Sequence, residues 1–230
     1  MNAIILAAGL GSRFKEWTKT KHKALLPINE VPNLERTIQF LNEAKIYDIY
    51  IITGHLANQF EYLIEKFPGV KLIYNEMYKE YNSIYSFNLS LPYFGDSFVI
   101  DADTVLLENI FLKLKPNQST YFTINRTRQE KEWCPIIDAH QKVIDIMITD
   151  EERPSLSGIS YWEQKDSEVI KQFFPKYLKL EKIKNTSLYW DNIPLYLIKI
   201  LNVTVSQLEQ STVYEMDNQD DYLRIVKSIS

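Results

Sequence analysis

Apolar positions along the chain change period several times, and the changes predict its elements. Asn2–Ala7 is a continuous apolar run closed by a turn containing Gly9 and Gly11. Such a run suits a strand buried on both faces, as in a parallel sheet. Residues 14–28 are polar and basic, with Lys15, Lys19, Lys21 and Lys23, and read as a loop. After Pro32-Asn33, residues Leu34, Thr37, Ile38 and Leu41 stand at i, i+3, i+4, i+7, so a helix starts there. Ile49–Thr53 is predicted as a strand closed by Gly54. Phe60, Leu63, Ile64 and Phe67 form a helical stripe stopped by Pro68-Gly69. Val70–Tyr74 is a third strand, 82–91 a helix ended by Pro92, and Phe98–Ile100 a fourth buried strand running into Asp101-Ala102-Asp103. Strand and helix alternating at this spacing require crossovers and a layered α/β domain.

The second half is more mixed. Thr120–Asn125, Ile136–Ile137, Val143–Ile148 and Gly158–Trp162 are short β-like runs. Val169–Leu178 reads as helical despite Pro175, and Leu188–Asp191 precedes another helix. Val203–Leu208 and Val213–Tyr214 read as strands. Tyr222, Ile225, Val226 and Ile229 make a C-terminal amphipathic helix with Asp217 as its N-cap. The expected fold class is α/β: a Rossmann-like, layered, mostly parallel sheet flanked by helices, with a mixed β-rich insertion and C-terminal region. No linker, repeat or low-complexity segment divides residues 1–230, which read as a single domain.

Composition narrows the function. The 230 residues include 26 Lys and Arg against 30 Asp and Glu, a net charge of −4. There is no global basic field, so nucleic acid and anionic membrane surfaces are disfavoured partners. No run approaches the roughly 18 apolar residues of a membrane span. Ala3–Ala8 is too short for a signal peptide and lacks a basic lead-in, so the expected location is cytoplasmic. The single cysteine, Cys134, excludes an internal disulfide framework and a cysteine-built zinc site. His22, His55 and His140 show no metal-ligand spacing. Fifteen tyrosines, eleven phenylalanines and four tryptophans either fill a core or line a site.

Ligands of parallel α/β sheets bind at the carboxyl ends of strands. The Gly9–Arg13 loop and the Asp101–Asp103 turn both lie at such ends and can face one crevice. A glycine-rich strand exit can present N–H groups to phosphates. The dinucleotide fingerprint would need glycine at position 14, where Phe14 stands, and a P-loop Gly-Lys-Ser/Thr is absent. Alone, Gly-x-Gly balances phosphate binding against a plain tight turn.

The longer string Ile4-Ile-Leu-Ala-Ala-Gly-Leu-Gly-Ser-Arg13, followed by Lys23-Ala-Leu-Leu-Pro-Ile28, resembles the N-terminal signature of the nucleotidyltransferases that make NDP-sugars and CDP-alcohols. His22 stands where that family has a proline. The resemblance implies catalytic roles for Arg13 and Lys23, and phosphoryl-group chemistry does call for cations against charge that builds in flight. It also implies a metal-binding aspartate after the fourth strand and a second far downstream. Asp103 and Asp191 take those places as ligands of Mg²⁺, an ion that favours oxygen donors. Asp101 is read as supporting them.

Val99-Ile-Asp-Ala-Asp103, Glu132-Trp133, Leu156–Trp162, Leu188-Tyr-Trp-Asp-Asn192 and Tyr214-Glu-Met-Asp217 resemble the bacterial CTP:phosphocholine cytidylyltransferases of lipopolysaccharide and teichoic-acid decoration. That resemblance spans nearly the whole chain. It implies CTP and phosphocholine as substrates, CDP-choline and pyrophosphate as products, and Mg²⁺ as cofactor. Residues 1–115 then form a nucleotide-binding half and 116–230 an acceptor-binding half. The base is expected along Leu6, Ala7, Ala8, Gly9 and Gly11, with Tyr81, Asn82 and Ser83 as the other wall. Asn82 doubles as a helix N-cap. A quaternary ammonium is held by aromatic faces and a nearby carboxylate. Trp133, Tyr189 and above all Trp190 are the expected faces, with Tyr161, Trp162 and Tyr214 behind them and Glu215 and Asp217 as charge. Phosphoethanolamine, aminoethylphosphonate or a sugar 1-phosphate are the competing acceptors. A catalytically inactive nucleotide-sensing domain is the competing class, against which the set Arg13, Lys23, Asp103 and Asp191 argues.

Overall fold

The structure, a computed structural model, describes residues 1–114, 116–126 and 131–229. The N-terminal apolar run is β1 (Asn2–Ala7), and its side chains alternate between two cores. Ala3, Ile5 and Ala7 enter one layer, Ile4 and Leu6 the other. The basic segment read as a loop is three single 3₁₀ turns, Ser12–Phe14, Trp17–Lys19 and Lys23–Leu25, then a small hairpin of β2 (Pro27–Ile28) and β3 (Val31–Pro32). Buried Phe14, Thr18 and Leu25 anchor it, spaced too irregularly for a helical stripe.

Next come α1 (Asn33–Glu43), β4 (Ile49–Thr53), α2 (Tyr62–Lys66) and β5 (Val70–Tyr74). The predicted 60–67 helix is broken: a 3₁₀ segment, Ala57–Phe60, precedes α2, and Ile64 faces solvent. Then α3 (Ser83–Asn88) stops short of Pro92, which sits inside a separate 3₁₀ turn at Leu91–Tyr93. The fourth predicted strand is β6 (Ser97–Asp101), and after the Ala102–Asp103 turn β7 (Thr104–Leu106) follows.

The second half contributes β8 (Thr120–Asn125), β9 (Glu132–Ile137), β10 (Val143–Thr149), β11 (Pro154–Trp162), α4 (Gln164–Phe173), α5 (Leu180–Ile183), α6 (Asn192–Leu197), β12 (Thr204–Gln207), β13 (Val213–Glu215) and α7 (Gln219–Ser228). The central sheet has seven strands in the order β12-β8-β11-β6-β1-β4-β5. It is parallel except where β11 runs antiparallel to β6 and β8. The sheet therefore crosses from the first half into the second without a break. The hairpin β9–β10 and the short pair β13–β7 stand outside it. Gly158 marks a shift in the β11 register at φ +76°, where a Cβ would lie 2.5 Å from Thr104 Oγ1. Only glycine fits that approach. Asp217 does not cap α7. Asn218 does, accepting the Asp221 N–H at 3.0 Å, because the Asp217 carboxylate is engaged by Arg13. Among the described residues no helix is long and apolar enough to cross a membrane.

Candidate active site

Parallel pairing sets Leu6 of β1 opposite Asp101 of β6, so both strands deliver their ends to one edge of the sheet. A cleft of about 600 Å³ opens there, a volume typical of small-molecule sites. Leu6, Ala7, Ala8 and Gly9 line it, as do Tyr81, Asn82 and Ser83, whereas Gly11 stands back from it. A Cβ on Gly9 would meet no protein atom within 4 Å, so a ligand can approach the backbone closely there. The Asn82 amide is already committed. Its Oδ1 caps α3 at the Ile84 N–H, and its Nδ2 donates to the Lys182 and Asn185 carbonyls, each at 2.8 Å. The donor and the acceptor that Asn82 could offer a base are both engaged by protein.

Lys23 Nζ donates to Asp103 Oδ2 at 2.5 Å. Burial works against both charges, but each outweighs it for the other: Asp103, with help from Asp217, holds the Lys23 ammonium above its ordinary pKa, and Lys23 holds Asp103 below the usual carboxylate range. Arg13 Nη1 reaches Asp217 Oδ2 at 2.8 Å. Glu215 contacts Arg126, whose Nε also donates to Ser155 Oγ at 2.9 Å and whose Nη2 donates to the Leu156 carbonyl at 2.7 Å.

The sequence paired Asp103 with Asp191. The structure sets both in one cleft and also brings Asp103 together with Glu215 and Asp217, whose carboxylate oxygens all lie within 4.8 Å of one another. The cause is the antiparallel pairing of β13 with β7, which sets Glu215 opposite Thr104. Asp191 lies in the same cleft but outside this trio, before α6. Burial raises its pKa to about 7. Glu215 is also raised to about 7, by burial and the surrounding carboxylates, against the pull of Arg126. Asp101 is raised well above the ordinary value by burial and by Asp103, Asp191 and Glu215. An all-carboxylate trio is a hard-oxygen donor set of the kind a divalent cation takes, and each member also pairs with a protein cation: Asp103 with Lys23, Glu215 with Arg126 and Asp217 with Arg13.

The aromatic candidates separate. Trp133 and Tyr189 meet edge to face, with ring centroids 6.4 Å apart, and Tyr189 is half exposed at the cleft. Trp190 is only 3% exposed. It stacks on Phe87 at 4.2 Å and meets Trp162 edge-on at 6.0 Å. Expected as the leading face, Trp190 is first a core residue with one edge on the cleft. Trp162 and Tyr161 are buried in the core, as their apolar strand implies.

Residues 3–122 match the model of the MobA-like NTP transferase domain. The chain is 51% identical over 230 residues to the choline-phosphate cytidylyltransferase of Haemophilus influenzae, covering 100% of this chain and 98% of that one. It is 41% identical over 226 residues to the choline-phosphate cytidylyltransferase of Streptococcus pneumoniae, covering 98% of this chain and 96% of that one. The solved structure of the CTP:phosphocholine cytidylyltransferase from Streptococcus pneumoniae superposes with a TM-score of 0.93, at 40% identity, covering 100% of this chain and 99% of that one. The chain belongs to the choline-phosphate cytidylyltransferases of the MobA-like NTP transferase family.

For a cytidylyltransferase of this family, two side chains that sequence patterning did not single out bear on the cleft: Arg126, which lines it, and Gln59, which lies outside its lining. Arg126 follows the end of β8 with no periodic signal around it, yet it bridges Glu215 and the β11 backbone. Gln59 lies in a polar turn and reaches the segment carrying Lys23. A cation directly after a buried strand was the one hint available for Arg126.

Proposed function

We propose that this chain joins CTP to phosphocholine, forming CDP-choline and pyrophosphate. The observation that carries the reading is a single cleft with two chemically distinct groups of residues: the ion pairs of Lys23 and Arg13, and the aromatic pair Trp133 and Tyr189 with Asp191. A phosphate oxygen of phosphocholine attacks the α-phosphorus of CTP. The new P–O bond forms as the bond to the oxygen bridging to the β-phosphate breaks, and pyrophosphate leaves with that electron pair.

Lys23 and Arg13 hold the negative charge that gathers on the phosphoryl oxygens, the part of such reactions that proteins stabilise most. The backbone along Leu6–Gly9 reads the cytosine, with Tyr81 and Ser83 confining it. Asp103, Glu215 and Asp217 would hold Mg²⁺, which supplies charge neutralisation to the triphosphate when bound. Asp191, outside that trio, supplies the carboxylate beside the trimethylammonium group, and Trp133 and Tyr189 supply its faces. Relative to the sequence expectation, Asp191 and the pair Glu215 and Asp217 exchange places. The reaction takes place in the cytoplasm and yields the activated donor for choline decoration of cell-surface glycans.

The test is pyrophosphate release with a matrix of nucleoside triphosphates and phosphorylated acceptors. Release with CTP and phosphocholine above all other pairs is expected. Release only with sugar phosphates would replace the acceptor, and none with any pair would favour a nucleotide-sensing role.

A further inference from the structure

The turn that carries Lys23 is fastened by a part of the chain with no role so far. Gln59, after β4, grips it with both ends of its amide. Gln59 Oε1 accepts the His22 backbone N–H at 2.9 Å, and its Nε2 donates to the Thr20 carbonyl at 2.7 Å. The His22 side chain, 1% exposed, accepts the Ala24 N–H on Nδ1 at 3.2 Å and so caps the 3₁₀ turn Lys23–Leu25. Its ring packs edge-on against Phe60, with centroids 4.8 Å apart, which keeps the imidazole from swinging away. The next residue, Lys23, then reaches Asp103.

An imidazole accepting on Nδ1 is unprotonated at that atom. Burial pushes the His22 pKa down to about 4, and the Lys23 charge acts in the same direction, so the acceptor is retained near neutral pH. Asparagine makes the same i to i+2 contact elsewhere in this chain: Asn82 accepts from Ile84 and Asn109 from Phe111, both at 3.1 Å. The capping function thus has a conservative replacement.

We propose that His22 and Gln59 are positioning residues for Lys23. Gln59 fixes the backbone at His22, and the imidazole caps the turn that aims the ammonium at Asp103 and the reacting phosphate. The proposal rests on the catalytic reading of Lys23 given above. A shift of about 1 Å in a reacting group can cost roughly 10²-fold in rate. The cost should therefore fall on turnover more than on binding.

The experiment uses the full chain with His22→Leu, His22→Asn, Gln59→Leu and Asn109→Ala, reading kcat and both KM values by pyrophosphate release, with melting temperatures alongside. His22→Leu and Gln59→Leu are expected to lower kcat at least about tenfold with KM values within about twofold. His22→Asn is expected to recover to within about threefold of the parent, because the acceptor is restored. Asn109→Ala removes the same kind of cap from a turn away from the cleft, and should lower the melting temperature without changing kcat. Unchanged kcat in both leucine variants, a loss confined to KM, or no recovery in His22→Asn would overturn the proposal. If His22→Leu does not fold, Gln59→Leu decides on the same split. A second readout needs no reaction. In ¹⁵N-lysine-labelled protein, the solvent-protected ammonium signal of Lys23 should be lost in both leucine variants and kept in His22→Asn. Its persistence in the leucine variants would refute the latch even if the parent released no pyrophosphate, a result that would separately refute the functional reading.

Discussion

Lys23 Nζ sits 2.5 Å from Asp103 Oδ2, joining residues 80 positions apart within the cleft. Asp103 has a lowered pKa, so its share of this attraction is present above the ordinary carboxylate range and is lost only as pH falls through the depressed value. Lys23 has a raised pKa, so its share is present below the ordinary lysine value and is lost only as pH rises through the elevated one. The pair stays ionised across the neutral range and should add no limb to the pH–rate profile there. Lys23→Ala is expected to lower kcat by roughly 10²–10³, the scale of losing one preorganised charge. CTP affinity should change much less. Steady-state kinetics beside CTP titration calorimetry check the split; a loss in affinity alone would make Lys23 a binding residue only.

Local pattern reached as far as the strand ends. The alternation in β1 and the run from β6 into Asp103 place the crevice, and the string from Ile4 to Arg13 places its glycine-rich wall. What stayed hidden depends on long-range pairing. Glu215 joins Asp103 only because β13 pairs with β7, and three residues carry too little periodicity to announce a partner more than a hundred positions away. Trp190 looked like a binding face because it precedes Asp191, but Phe87 of α3 takes its ring into a stack that no local signal encodes. Asn82 was legible as a cap, whereas its two bonds to the Lys182–Asn185 segment were not.

The carboxylate trio predicts a metal requirement with a particular residue dependence. Chelator should abolish pyrophosphate release and added Mg²⁺ should restore it. Asp217→Asn and Glu215→Gln each remove one charge from the donor set, and ligand charge tunes divalent affinity. Each is expected to raise the Mg²⁺ concentration for half-maximal rate by roughly tenfold or more. Asp191→Asn should leave that concentration unchanged. The Mg²⁺ titration of the three variants checks the assignment; a shift for Asp191→Asn equal to that of Asp217→Asn would restore Asp191 to the metal.

On the proposed reading, Asp191 carries the pH dependence of the acceptor. Burial raises its pKa to about 7, so the fold favours the neutral acid and the stability gained by protonation is lost as pH rises through 7. The ionised form attracts a trimethylammonium group. KM for phosphocholine should therefore fall between pH 6 and pH 8, while KM for CTP follows its own phosphates and Glu215, whose pKa is also raised to about 7. Asp191→Asn should remove the part of the slope that belongs to the protein. Measuring both KM values across that range in parent and variant tests it, and parallel slopes in the two proteins would place the titrating group elsewhere.

The aromatic residues should divide by role when each is truncated. Trp190 is buried, stacked on Phe87 and touching Trp162, so Trp190→Ala opens a cavity in the core. A cost of about 3–5 kcal/mol in stability is expected from such a deletion. Trp133 and Tyr189 stand at the cleft with less to support, and Trp133→Ala or Tyr189→Ala should unfold at nearly the parental temperature. Their effect should fall on the acceptor. A cation on a desolvated ring face gains on the order of 2 kcal/mol, equivalent to a factor of about thirty in kcat/KM. Phosphoethanolamine carries the same charge, so charge alone does not separate it from phosphocholine. Its three N–H donors would face aromatic carbon, and each donor left without an acceptor costs about 1–3 kcal/mol. Asp191 accepts one of them, which predicts preference for phosphocholine and not exclusion of its rival. Truncating Trp133 or Tyr189 should thus compress the phosphocholine-to-phosphoethanolamine ratio of kcat/KM toward one while leaving KM for CTP in place. The comparison is kcat/KM for both acceptors on the parent and the three variants, with thermal unfolding of each. Equal use of the two acceptors by the parent would remove the choline assignment. A ratio changed by Trp190→Ala but not by Trp133→Ala or Tyr189→Ala would return the binding face to Trp190.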